Sequence, residues 1–197
     1  MAEKRGIMRE RIVRTLLNYP DGSLTKYKLA KLAECKFPRV HGLLSDLEKE
    51  GLVEGTKVKN FAKLLDLWRT WKLDPEIRSY MIQNPLDIIK KSNLDYALTT
   101  YQAENLVQRY LFPTRTDFYI HPEDKEKWHQ FLAKKGLVGG GNTRVLIADK
   151  HVEFNSSKVK GLTIVSKPQL IVDLLKEGGH CADAANQLME KEIAIQS

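Results

Sequence analysis

Lys36, Arg39, His41, Gly42 and Ser45 fall within ten residues, at spacings that leave them off the apolar stripe of a helix. The arginine fork can donate two hydrogen bonds to a guanine edge, and His41 and Ser45 offer adaptable hydrogen bonds. Such a set could read base edges in a duplex groove. Gly42 costs a helix about 1 kcal/mol relative to alanine. A bare position there would admit close backbone approach to DNA, or would accommodate packing within the chain. Lys26 and Lys28 upstream, with Lys57 and Lys59 downstream, are point charges suited to phosphates. Contacts of that kind give position and salt dependence, not sequence reading. A solvated surface is the alternative for each lysine.

Other chemistry-bearing residues form no defensible motif. Gly139-Gly-Gly-Asn142 lacks the trailing Lys-Ser/Thr of a phosphate loop and reads as a hairpin or loop. Asp117, Asp149 and Glu153 lie on or beside expected strands, with Lys150 next to Asp149; clustered carboxylates could hold Mg²⁺ for phosphoryl chemistry. Their spacing fits no known pattern. His180-Cys181 has no second ligand and reads as a helix-start histidine beside a buried thiol. His121, His129 and His151 lack His-x-x-x-His spacing, and Asp173 reads as part of a solvated helix face. No catalytic, cofactor-binding or metal-ligating residue is assigned, and the chain is not read as an enzyme.

The elements that must position the cationic set follow from apolar periodicity. Met8, Ile12, Val13, Leu16 and Leu17 define a helix over 6–18, with Arg9, Arg11 and Arg14 off the stripe. Tyr19-Pro-Asp-Gly22 stops it. Thr25 is placed to N-cap a second helix over 26–33. After a short turn at 34–36, a third helix runs over 38–50 with Pro38 in its first turn and Gly51 past its end. Its buried stripe is Val40, Leu43, Leu44 and Leu47, which leaves the residues named at the outset facing out. Residues 52–59 then read as two short strands around Gly55. Three helices and a ribbon are the layout of a winged helix-turn-helix, in which the third helix enters the major groove.

Net charge agrees with that layout. Of the +7 total, residues 1–75 hold 16 basic and 10 acidic side chains, a net of +6, which leaves the remainder near neutral. A basic module joined to a neutral one suggests a polyanion partner. Residues 61–72 form a connecting helix with an apolar strip of Phe61, Leu64, Leu65, Trp68 and Trp71. Beyond Pro75 strands and helices interleave: strands at 77–82, 116–121, 144–148, 151–154 and 162–165, and helices from Asn84-Pro85 to Ile89 and at 101–111, 122–135, 168–177 and 182–192. The expected fold is α+β: a winged helix-turn-helix over 1–60, a connecting helix over 61–75, and a mixed α/β domain over 76–197. With no run of about 18 apolar residues, no membrane span is expected. No leader is read at Met1-Ala-Glu-Lys-Arg-Gly6, and Cys35 and Cys181 do not make a disulfide framework, so a reduced, cytoplasmic protein is expected.

Several stretches carry a resemblance to a known family. They are Gly51-Leu-Val-Glu-Gly-Thr-Lys-Val58, Leu64-Leu-Asp-Leu-Trp68, Asn84-Pro-Leu-Asp87, Ala97-Leu-Thr-Thr-Tyr-Gln-Ala-Glu-Asn-Leu106, Pro168-Gln-Leu-Ile-Val-Asp-Leu-Leu-Lys-Glu-Gly-Gly179 and Ala182-Asp-Ala-Ala185. Together they resemble the AbiEi family of type IV toxin–antitoxin antitoxins and related regulators. The resemblance implies a DNA-binding repressor, autoregulating its operon, whose C-terminal domain supports dimerisation. It also implies a neighbouring gene for a nucleotidyltransferase-like toxin as protein partner. Carried over by residue, it assigns DNA contact to Arg39, His41, Ser45, Lys57 and Lys59. The expected function is sequence-specific binding of double-stranded DNA as a homodimer. The alternative is a nucleic-acid-processing enzyme in which the winged helix is a targeting module.

Overall fold

Helical periodicity and turn chemistry divide the first 73 residues much as their sequence suggests, but some of their partners come from the far end of the chain. The computed structural model describes residues 2–196; Met1, at the head of the segment read as leaderless, and Ser197 lie outside them. The chain forms two compact units. The first comprises the chain up to Leu73, Lys167–Lys176, and the chain from Ala185 onward. The second comprises Asp74–Ser166 and Glu177–Ala184. Residues 76–197 are thus not one contiguous unit, as the expected division had them. The chain returns to the first unit because its last helices carry the apolar residues that complete that core.

In the first unit, α1 (Ala2–Asn18) buries Ile12, Val13, Leu16 and Leu17. It begins four residues before the expected start at Gly6, since a helix needs no core contact to continue outward from a packed turn. Thr25 caps α2 (Lys26–Leu32) by accepting the Lys28 N–H at 3.1 Å. Helix α3 (Phe37–Lys49) starts one residue before Pro38 and buries Val40, Leu43, Leu44 and Leu47. Gly51, at φ +69°, supplies the left-handed turn that ends it, and the Leu52 N–H closes on the Leu47 carbonyl at 2.9 Å. The ribbon follows as β1 (Val53–Glu54) antiparallel to β2 (Lys57–Val58). Helix α4 (Phe61–Trp71) is capped by Asn60, whose side chain accepts the Lys63 N–H.

Arg14 departs from its expected place. It is 1% exposed rather than on an outer face. Its Nε donates to the Gln169 side-chain oxygen at 2.7 Å, and its guanidinium lies 5.3 Å from the Trp68 ring centroid. Gln169 belongs to α8 (Lys167–Glu177), in which all residues from Pro168 to Leu174 are buried. Asp173 is likewise not solvated: it is buried, 3.2 Å from Lys72 Nζ, and accepts a bond from Gln169. A charge placed off one helix's stripe is buried when a distant segment covers that side. The last helix, α9 (His180–Gln196), begins two residues before the expected start, after Gly178-Gly179.

The second unit is a mixed seven-stranded sheet in the order β6-β3-β7-β5-β4-β9-β8. Its strands are β3 (Glu76–Ile82), β4 (Ala97–Thr99), β5 (Thr116–Ile120), β6 (Gly136–Val138), β7 (Thr143–Ile147), β8 (Ser157–Val159) and β9 (Leu162–Ile164). The β5–β7 and β4–β9 pairs are parallel and the rest antiparallel. All five residues of β5 are buried, as befits a central strand. The short edge strands β6 and β8 had no sequence signal. The glycine-rich stretch connects β6 to β7 across the end of β3, where a Cβ on Gly141 would collide with the Tyr80 carbonyl.

Three expected elements change form. The 151–154 segment is no strand but a 3-10 turn, Lys150–Glu153, closed by Val152 N–H to Asp149 O and Phe154 N–H to His151 O. Four alternating residues satisfy either pattern. The 122–135 helix splits into a 3-10 turn (Pro122–Asp124) and α7 (Lys125–Ala133), while α5 (Pro85–Lys90) follows Asn84 as expected. The 101–111 helix is α6 (Thr100–Val107). It stops because the buried Glu104 carboxylate accepts the N–H groups of Tyr110 at 3.1 Å and Leu111 at 2.7 Å, which turns the chain and leaves Tyr110 exposed. The whole chain is therefore α+β, and among the described residues no helix is long and apolar enough to cross a membrane.

Candidate nucleic-acid interface

The buried stripe of α3 orients everything outside it. Lys36, Arg39, His41 and Gly42 are exposed and Ser45 is half-exposed, as the periodicity requires. Lys28, Lys57 and Lys59 are exposed, and Lys26 is half-exposed. Helix α2 packs on α3, and α3 on β1. The Glu48 carboxylate near the end of α3 accepts the Gly55 N–H at 2.7 Å, tying the ribbon turn to that helix. All the cations in question therefore sit on neighbouring elements of one unit.

Their electrostatic states differ. Among the described residues, no carboxylate pairs with Lys26, Lys28, Lys36, Arg39 or Lys57. Lys59 is different: its Nζ lies 3.0 Å from Glu54, whose carboxyl is held below its usual range by that hydrogen bond and by the lysine's charge. Both groups face water, so the pair adds little to stability.

Two aromatic side chains on this surface were not singled out from sequence. Tyr27, between Lys26 and Lys28, is 73% exposed, and Phe37 is 44% exposed. The Phe37 ring stacks on His41, with centroids 6.2 Å apart and planes 10° from parallel. The interleaving of aromatic and basic residues was the signal that could have found them. Gly42 also becomes clearer. A Cβ built there meets no atom within 4 Å beyond its chain neighbours and the adjoining backbone of α3, so packing within the chain does not account for the glycine. It lines an open groove of about 470 Å³ with Arg9, Lys36, Arg39 and Asp46.

The acidic residues of the second unit do not form a metal centre. Asp117 is 0% exposed. Its oxygens accept from Arg115 at 2.8 Å, Arg144 at 2.8 Å and the Thr100 hydroxyl at 2.5 Å. Burial works to raise the Asp117 pKa, but hydrogen bonds from Arg144, Arg115 and Thr100 outweigh it and hold the carboxyl below its usual range. Both arginines also reach Glu177, at 2.7 and 3.0 Å. This network binds strands β5 and β7 to Glu177, and it leaves Asp117 no free lone pair for Mg²⁺. Nearby, a hydrogen bond with the buried Cys181, then burial, push the Tyr101 pKa up to about 12. Glu153 meets His121 at 3.1 Å, and His129 shares a 2.9 Å hydrogen bond with Tyr80. Among the described residues no group of three or more His, Cys, Asp or Glu side chains is arranged to hold a metal. No family model matches the chain, and neither does any curated protein or solved structure.

Proposed function

We propose that the chain is a sequence-specific, duplex-DNA-binding transcriptional repressor whose first unit acts as a winged helix-turn-helix. The observation that carries the reading is the outer side of α3. Lys36 at its N-cap and Arg39 and His41 on it are exposed, over a buried stripe and beside Lys26, Lys28 and Lys57, which pair with no carboxylate among the described residues. A helix so backed can enter a major groove, with Arg39 bidentate to guanine and His41 and Ser45 bonding neighbouring edges. Lys57 on the ribbon then contacts phosphate. The protein acts in the cytoplasm as a homodimer, because two half-sites double the base contacts. The likeness to the AbiEi antitoxins adds a toxin protein as a further partner and autoregulation as the biological setting. The enzymatic alternative, which leaned on Asp117 and Asp149, has less support, since Asp117 is engaged by Arg115 and Arg144.

The test is selection of bound genomic fragments followed by gel-shift titration. Arg39→Ala lowers discrimination at one base position by about 1–3 kcal/mol. Lys57→Ala weakens binding to all sequences alike. If neither variant changes binding, the assignment is wrong.

A further inference from the structure

We infer that one sugar–phosphate strand of the duplex lies in the groove between α1 and α3, packed against the bare backbone of Gly42 and held by Arg9. The inference rests on the DNA-binding reading and says which part of the ligand goes where.

Glycine placement is the first argument. Seven of the chain's glycines have left-handed backbones that disfavour any side chain. A Cβ on Gly136 or Gly141 would collide with backbone, and one on Gly6 would press on Leu73. Gly140 sits in a loop. Gly42 alone lies in the middle of a helix, with ordinary helical backbone and empty space around a hypothetical Cβ. No requirement internal to the chain explains a residue that weakens its helix. An external group that needs the Cβ's volume does explain it.

Charge accounting is the second. Arg11 pairs with Glu34, Arg14 is buried with Glu10 and Gln169, and Arg69 pairs with Asp66. Arg9 has no carboxylate among the described residues. Its guanidinium lies over Trp71, 5.3 Å from the ring centroid, which orients it while leaving its donors open. The groove that it shares with Gly42 carries Lys36 and Arg39 as well. Asp46 also lines it, but Lys49 stands 3.5 Å from that carboxylate and offsets it. Glu50 lines an adjoining groove with Arg9, Lys49 and Trp71. A polyanion narrow enough to touch a helix backbone fits this arrangement, as a phosphodiester strand does.

The experiment uses the full chain, a labelled genomic duplex selected by the wild type, and a scrambled duplex of equal length. Gly42→Ala, Gly42→Ser and Gly42→Leu are compared with Arg9→Ala and Arg39→Ala. Gly42→Ala is expected to raise Tm by about 2–4 °C. It nonetheless weakens binding about tenfold on both duplexes, and the loss grows with side-chain size. Arg9→Ala flattens the slope of log K against log salt by about 0.9. Gly42 variants that bind like the wild type, while Arg39→Ala weakens binding, overturn the groove assignment and leave the DNA-binding reading intact. A loss confined to the selected duplex puts Gly42 at base edges and overturns the strand placement. A wild-type chain that shifts neither duplex overturns both.

Discussion

The ribbon pair Glu54–Lys59 makes the electrostatic reasoning quantitative. Five side chains of the proposed DNA-facing surface are assigned to phosphates and have no carboxylate partner among the described residues: Arg9, Lys26, Lys28, Lys36 and Lys57, with Arg39 kept for a base edge. If each neutralises one phosphate, log K falls against log salt with a slope of about −4.5, or about 0.9 per contact. Raising salt from about 50 to 200 mM then costs about 500-fold in affinity. Lys57→Ala should flatten the slope to about −3.6. Lys59→Ala should change it much less, because Glu54 already sits 3.0 Å from that ammonium. Glu54→Gln removes the competing carboxylate, so Lys59 becomes available, the slope steepens to about −5.4, and binding tightens at low salt. Fluorescence anisotropy of a labelled duplex, titrated over a series of NaCl concentrations, reads all four slopes. Two results refute the reasoning: a wild-type slope shallower than about −1, or a Lys59→Ala effect equal to that of Lys57→Ala with no response to Glu54→Gln.

Asp117→Asn should destabilise the second unit by about 3–5 kcal/mol, because Arg115 and Arg144 lose their buried counter-charge; urea unfolding followed by Trp128, its one tryptophan, measures this. Asp117 and Glu177 both have depressed pKa values, so the stability they add is whole above the ordinary carboxylate range. It is lost as pH falls below about 4 through their folded values, and an acid titration should show the second unit of Asp117→Asn lacking the Asp117 share of that loss while keeping that of Glu177. Gln169→Leu should destabilise the first unit by about 1–3 kcal/mol, since the buried Arg14 Nε–H loses its acceptor; circular dichroism melts of the full chain test this. Tyr101 should resist ionisation until about pH 12, read by alkaline ultraviolet titration, and Cys181→Ala should lower that value.

What was legible in the amino-acid order was local. The stripe at Val40, Leu43, Leu44 and Leu47 follows from 3.6-residue periodicity, which settles both which side of α3 is buried and where Arg39 and His41 emerge. Thr25 and Gly51 mark helix ends because a cap and a left-handed turn each depend on a few adjacent residues. The edge strands β6 and β8 were not legible: three residues carry too short an alternation, and their pairing with β3 and β9 supplies the order. The same holds for the burial of Arg14 and Asp173 and for the four-way network at Asp117. Gln169 lies 155 residues from Arg14, and Arg144 lies 27 from Asp117. Contacts between segments so far apart depend on how packed elements meet, and periodicity within one segment says nothing about which other segment will cover it.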